Sequence, residues 1–71
     1  MNDTTKVVGI VEEALGGARF RVRLEADGRE VVAYVAGRMK RNNIQVFVAD
    51  RVEIVLDPAG GHATNRIVWR R

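Results

Sequence analysis

Apolar residues along this chain fall into short runs with a period of two. From Ala18 to Glu25, Phe20, Val22 and Leu24 alternate with Arg19, Arg21, Arg23 and Glu25, which describes a strand with one buried face and one wet face. The stretch Val7 to Leu15 reads as a strand ahead of it. Val7, Val8, Ile10 and Val11 are β-branched, and Gly9 permits a bend or bulge. Gly16-Gly17 supplies the turn between the two. Asp27-Gly28 signals a hairpin, because a tight turn needs positive φ. It leads into a third strand, Glu30 to Ala36, with Val31, Ala33 and Val35 on one face and Val32, Tyr34 and Ala36 on the other.

The alternation stops at Gly37-Arg38-Met39-Lys40-Arg41-Asn42-Asn43. One helical turn of this kind is too short to stand alone. The asparagines end it, since their side chains compete for backbone hydrogen bonds. The expected arrangement is a plug between two strands, with Met39 facing the core and Arg38, Lys40 and Arg41 facing out. Beyond it, Ile44 to Val48 is extended and apolar, and Ala49-Asp50 makes a turn. Arg51 to Leu56 alternates again, with Val52, Ile54 and Leu56 inward. Asp57 to Asn65 is a loop broken by Pro58 and Gly60-Gly61. Arg66 to Arg71 is a last strand holding Ile67, Val68 and Trp69. Met1 to Lys6 is polar and is expected to form a flexible tail, leaving 7–71 as a single domain.

This order predicts an all-β chain: a five-stranded Greek-key OB-fold barrel with one short helical turn between strands three and four. Closure into a barrel removes the edges that free strands would present. An SH3-like barrel has similar size and strand count, and the placement of the non-β element after strand three favours the OB fold.

Composition narrows the chemistry. Seventy-one residues allow one small domain that buries only ~60% of its unfolded surface. There is no cysteine and a single histidine, His62, so neither a disulfide nor a four-ligand zinc site is expected. No apolar run approaches the ~18 residues of a membrane span, and the polar N-terminus is not signal-like. The expectation is a cytoplasmic protein with no membrane partner. Catalysis finds no footing. Serine is absent as well as cysteine, and His62 lies among glycines. Glu12 and Glu13 are adjacent, so regular strand geometry sends them to opposite faces and forms no carboxylate pair. Gly16-Gly17 and Gly60-Gly61 are turns rather than a phosphate-binding motif. The chain is read as no enzyme and as needing no cofactor.

The net charge of +3 is less informative than its distribution. Residues 1–37 carry five cations and six acids, whereas residues 38–71 carry seven cations and three acids. Basic excess therefore lies in the connector and at the C-terminal end. Lys6 and Lys40 are the only lysines; the other cations are arginines, the side chain suited to bidentate phosphate contacts and to stacking on bases. A polyanion partner becomes plausible. Stacking rings are few: Phe20 is assigned to the core, Tyr34 is the best exposed candidate, and Phe47 and Trp69 stay open. Val46-Phe47-Val48 matches half of the cold-shock RNA-binding signature, without the Gly-Phe-Gly-Phe partner motif. So few rings fit a protein that reads folded RNA through its backbone, by charge and shape.

At five places the chain resembles the bacterial translation initiation factor one family, whose members are single OB barrels of the S1-like type. Phe20-Arg21-Val22 with Leu24-Glu25 is similar to that family's Phe-Arg-Val-x-Leu-Glu strand. Gly37 to Ile44 is similar to its Gly-Lys-Met-Arg-Lys-Asn-x-Ile connector. Asp50-Arg51-Val52, Leu56-Asp57-Pro58 and Arg66-Ile67-Val68-Trp69-Arg70 resemble three further family segments in the right order. The resemblance implies binding to the small ribosomal subunit at the decoding (A) site, through 16S rRNA and an adjacent ribosomal protein. It implies occlusion of that site, support of the other initiation factors, and action as a monomer. Carried over by position, it makes Arg38, Lys40 and Arg41 RNA-binding cations, with Arg66, Arg70 and Arg71 as a second patch and Tyr34 as a stacking ring. Met39 and Ile44 match apolar, structural positions.

The chain also departs from the family. Ala49 stands where glycine is usual, the loop from Ala59 to Asn65 lacks the usual Tyr-Asp and basic pattern, and the second hairpin is one residue longer. Arg19, Arg21 and Arg23 add a basic stripe and are secondary RNA-facing candidates. The rival reading is a free-standing cold-shock-like OB module that binds single-stranded RNA.

Overall fold

β1 (Lys6–Gly16), β2 (Arg19–Leu24) and β3 (Glu30–Val35) form an antiparallel meander. α1 (Gly37–Arg41) follows, then β4 (Arg51–Val55) and β5 (Arg66–Arg70). A computed structural model describes residues 6–57 and 65–71. The strands close into a barrel in the order β1-β2-β3-β5-β4, with β4 returning to β1. Every pairing is antiparallel except β3–β5, which is parallel and only two residue pairs long. This is the expected all-β, five-stranded barrel with one short helix after strand three, consistent with an OB fold.

Alternation dictates the core. Val22 and Leu24 of β2, Val31 and Ala33 of β3, Val52 and Ile54 of β4, and Val11 and Ile67 are all buried. Phe20 is half-buried against them. β1 is long enough to belong to two ladders, and Gly9 sits in both, opposite Leu24 and Val52. A Cβ there would lie 2.5 Å from Val22 Cγ1 and 2.8 Å from the Arg23 carbonyl oxygen. Only glycine lets the ladders approach so closely.

α1 behaves as the plug foreseen. Met39 is fully buried and joins the barrel core. The Met39 and Lys40 N–H groups donate to the Ala36 carbonyl, and Ala36 N–H donates to Ile67 at 2.9 Å, tying the helix to β5. Asn43 ends the turn in left-handed conformation at φ 56°, and Ile44 N–H donates back to Met39.

Two expectations need correction, one at Lys6 and one at Glu12-Glu13. Residues 44–48 run outside the five strands, as the sequence pattern has it. Ile44 and Val46 pack inward on the core, but the backbone joins the barrel only where the segment ends: Ala49 N–H donates to Val11 at 2.7 Å and Val11 N–H to Asp50 at 2.9 Å. Lys6, placed in the tail, begins β1 opposite Val55. Glu12 and Glu13 do not take opposite faces. The β1–β2 register slips between Val11 and Glu13, and this bulge brings Glu12 out to Arg23 as Glu13 reaches Arg21.

The Met1–Thr5 part of the tail, and the Ala59–Thr64 part of the loop with His62, lie outside the described residues. Asn65, which closes that loop, is buried. Its Nδ2 donates to Val32 at 3.0 Å and its Oδ1 accepts from Asp57 N–H at 2.6 Å. A buried amide with both ends satisfied is a structural joint that apolar periodicity alone does not reveal.

Candidate nucleic-acid interface

The barrel sorts its cations into two groups. Arg21 pairs with Glu13 at 2.6 Å; Arg23 pairs with Glu12 at 2.7 Å and Glu30 at 3.0 Å. Arg29 pairs with Asp27, Arg51 with Glu25, and Arg71 with Glu53 at 3.5 Å. These arginines lie mostly on the outer surface of β2 and β4, where strand alternation puts charges of both signs side by side. Lys6, Arg19, Arg38, Lys40, Arg41, Arg66 and Arg70 form no ion pair with a described carboxylate.

Four of these cations converge. Lys6, Arg38, Arg41 and Arg66 line one open depression of about 500 Å³, together with Ala36, Gly37, Val55 and Val68. No described carboxylate lines it. Its floor follows from register: Lys6 lies opposite Val55, and Val55 opposite Arg66, so one cross-strand row presents two cations around a valine. α1 supplies the other wall. Arg38 Nη2 donates to the Val68 carbonyl at 3.2 Å, and Arg41 Nη1 folds back to 3.6 Å from where a Gly37 Cβ would stand.

Tyr34 is 40% exposed and lies beside this basic ground. Its cross-strand neighbours are Arg19 on β2 and Arg66 on β5, so the ring has a cation on each side. Lys40 is exposed on α1 outside the depression. Arg70 reaches the other way, with Nη1 donating to the Gln45 carbonyl at 3.2 Å. Arg19 donates to the carbonyls of Gly16 and Leu15 in its own hairpin. Of the residues proposed from sequence, the fold brings together Arg38, Arg41, Arg66 and Tyr34. Arg71, Arg21 and Arg23 are held in ion pairs, and the Arg21 Nε is buried without an acceptor. Lys6 escaped the sequence reading because its proximity to Arg66 depends on two long-range registers.

Trp69 is 46% and Phe47 54% exposed. Period two would set Trp69 inward with Ile67. The β4–β5 register slips by one, pairing Ile54 with Ile67 but Glu53 with Trp69, and the indole turns outward. Among the described residues, no cluster of three or more His, Asp or Glu could hold a metal, and no helix is long and apolar enough to cross a membrane.

No family model matches the chain. Among solved structures, YjeQ from Thermotoga maritima is similar with a TM-score of 0.79 at 24% identity, over 94% of this chain and 23% of that one; the likeness is one of fold alone. Translation initiation factor IF-1 of Nitrobacter hamburgensis, of Rhodopseudomonas palustris strain BisB18 and of Nitrobacter winogradskyi is in each case 52% identical over 50 residues, or 70% of this chain. The chain spans about half the length, 53%, of these curated relatives. Any 50-residue stretch of a 71-residue chain contains residues 22–50, so Tyr34 and the whole of α1 lie inside the matched segment. Over that segment the chain is a homologue of bacterial translation initiation factor IF-1.

Proposed function

We propose that this protein is a translation initiation factor that binds the small ribosomal subunit at the decoding (A) site through 16S rRNA, occludes that site and supports the other initiation factors. One observation carries the reading. The 52%-identical segment necessarily includes α1, whose three cations are exposed and have no described carboxylate partner. Cations without internal partners can neutralise phosphates without first breaking an ion pair. The protein works in the cytoplasm as a monomer, with an adjacent ribosomal protein as a further contact. It performs no chemistry and needs no cofactor.

The test is co-sedimentation with small ribosomal subunits over a salt series, followed by footprinting of 16S rRNA. Association should weaken with a log–log slope of about one unit per neutralised phosphate, and protection should centre on the decoding site. Absence of association at low salt, or protection elsewhere, overturns the reading. The exposure of Phe47 and Trp69 favours a second one, a cold-shock-like module that stacks single-stranded RNA on those rings. It requires oligonucleotides to bind as tightly as subunits, and Phe47→Ala and Trp69→Ala to weaken that binding.

A further inference from the structure

We infer that Lys6 is a phosphate-binding residue, completing with Arg38, Arg41 and Arg66 a cradle for one backbone phosphate of an RNA strand. The inference rests on the RNA-binding reading above and gives it a definite seat. Residue position in the chain offers no hint of it. Lys6 precedes the first apolar run and is separated from Arg66 by almost the whole sequence.

The argument begins with register. Directly opposed residues of paired strands project to the same face. Lys6, Val55 and Arg66 form one such row across β1, β4 and β5, and both cations are exposed. With strands ~4.8 Å apart, Cα atoms two strands apart stand roughly 10 Å from each other. Lysine and arginine side chains of full length can close on a tetrahedral anion from both ends of that span. Val55 between them is too short to fill it.

α1 supplies the remaining two cations. Arg38 is pinned at the rim by its bond to the Val68 carbonyl, and Arg41 lies back over Gly37. Four like charges thus share one depression of about 500 Å³ without a described carboxylate in its lining. Elsewhere on this barrel, Arg21, Arg23 and Arg51 on the strand faces are matched by glutamates, and Arg19 and Arg70 lie apart from one another, each donating to a backbone carbonyl. Like charges gathered without a counter-charge repel one another, and an anion in their midst converts that repulsion into attraction. The guanidinium groups suit the paired oxygens of a phosphodiester, and the ammonium group serves as a point charge. Tyr34, next to Arg66 in register, offers a ring where an adjoining nucleotide would lie. This favours a phosphate carried on RNA over a free anion.

The test uses Lys6→Gln, with Arg29→Gln as a control at a hairpin arginine already paired to Asp27. Both sites are exposed, and thermal melts verify folding. Lys6→Gln should lower the salt slope of small-subunit binding by about one unit and weaken binding at low salt by roughly ten-fold. Arg29→Gln should leave both unchanged. If wild type binds subunits and Lys6→Gln matches it in slope and affinity, the inference is wrong.

A second measurement works even if subunits are not the partner. Amide spectra of the full chain are titrated separately with short single-stranded RNA and with inorganic phosphate. RNA should shift Lys6, Gly37, Arg38, Arg41, Arg66 and Val68 together, and the Lys6→Gln variant should lose that response. Shifts confined to Phe47 and Trp69 would remove the cradle. Inorganic phosphate binding there as tightly as RNA would make a free anion the occupant and overturn the assignment to RNA. A chain that ignores subunits yet shows the Lys6-dependent RNA response refutes the initiation-factor reading and keeps the cradle.

Discussion

Ala49 holds φ at 78°, a left-handed conformation that costs an L side chain ~1–2 kcal/mol. Its surroundings impose it. Ala49 N–H donates to Val11, Asp50 N–H donates to Phe47, and the Asp50 carboxylate accepts from Phe47 N–H at 2.8 Å. Ala49→Gly removes the Cβ penalty and keeps those bonds. We expect a gain of about 1 kcal/mol, raising the melting temperature by about 4–8 °C; an unchanged melt would mean the turn bears no strain. Gly9 presents the converse case. Its missing Cβ makes room for Val22 and the Arg23 carbonyl, so Gly9→Ala should destabilise by ~1–3 kcal/mol, the usual cost of overpacking. Denaturant titration measures it, and a shift below ~0.5 kcal/mol would show that β1 and β2 can part at no cost. Ala49 is a matter of backbone torsion and Gly9 of close approach, and the sequence signals either only by residue type. Gly9 stood out by that type, although the bulges of β1 lie at Glu12 and Leu15 and not at Gly9, whereas the strained alanine looked only like a departure from a family pattern.

α1 divides its residues between barrel and solvent, and the two halves separate experimentally. Met39 is fully buried in the core, so Met39→Ala should cost ~2–5 kcal/mol, as large-to-small core changes do. The salt slope of RNA binding should survive wherever the variant remains folded. Reversing Arg38, Lys40 and Arg41 to glutamate should do the opposite. Folding stays nearly intact, because no cation of the helix is buried, and subunit binding falls roughly a thousand-fold if each contact is worth ~1.5 kcal/mol. A triple variant that binds like wild type would reduce α1 to a connector. That Met39 faces in and its neighbours face out was legible from one apolar residue among cations. The strands were legible for a similar reason, since period-two alternation marks a half-buried face and reversals fall at Gly16-Gly17 and Gly28. What escaped was set by pairing partners. A bulge at Glu12 and another at Val68 each shift the pattern by one residue, reversing which side chains face out.

The barrel separates cations paired to its own carboxylates from cations that have no described carboxylate partner, and acid should expose the difference. Three of those carboxylates are held below their ordinary pKa. The hydrogen bond from Arg23 lowers Glu12 from 4.5, and the one from Arg51 lowers Glu25 from 4.5. The Arg29 backbone N–H, and then its side chain, lower Asp27 from 3.8. In the unfolded chain these groups titrate near their ordinary values, so the folded state binds fewer protons in that range. Their stabilisation is therefore present in full above about pH 4.5 and is lost as pH falls through the lower folded values. Protonation also strips the chain of its negative charge and leaves its twelve lysine and arginine side chains repelling one another. Urea midpoints should be flat from about pH 5 to 8 and fall progressively below about pH 4.5. Arg51→Gln, which frees Glu25 from its two hydrogen bonds at 2.6 and 3.0 Å, should make the acid fall shallower while leaving the salt slope of subunit binding untouched. A midpoint as high at about pH 3 as at neutrality would deny these ion pairs any part in stability. An altered salt slope in Arg51→Gln would show that the two sets of charge are not separate, because an arginine already neutralised by its own barrel would then be contacting RNA.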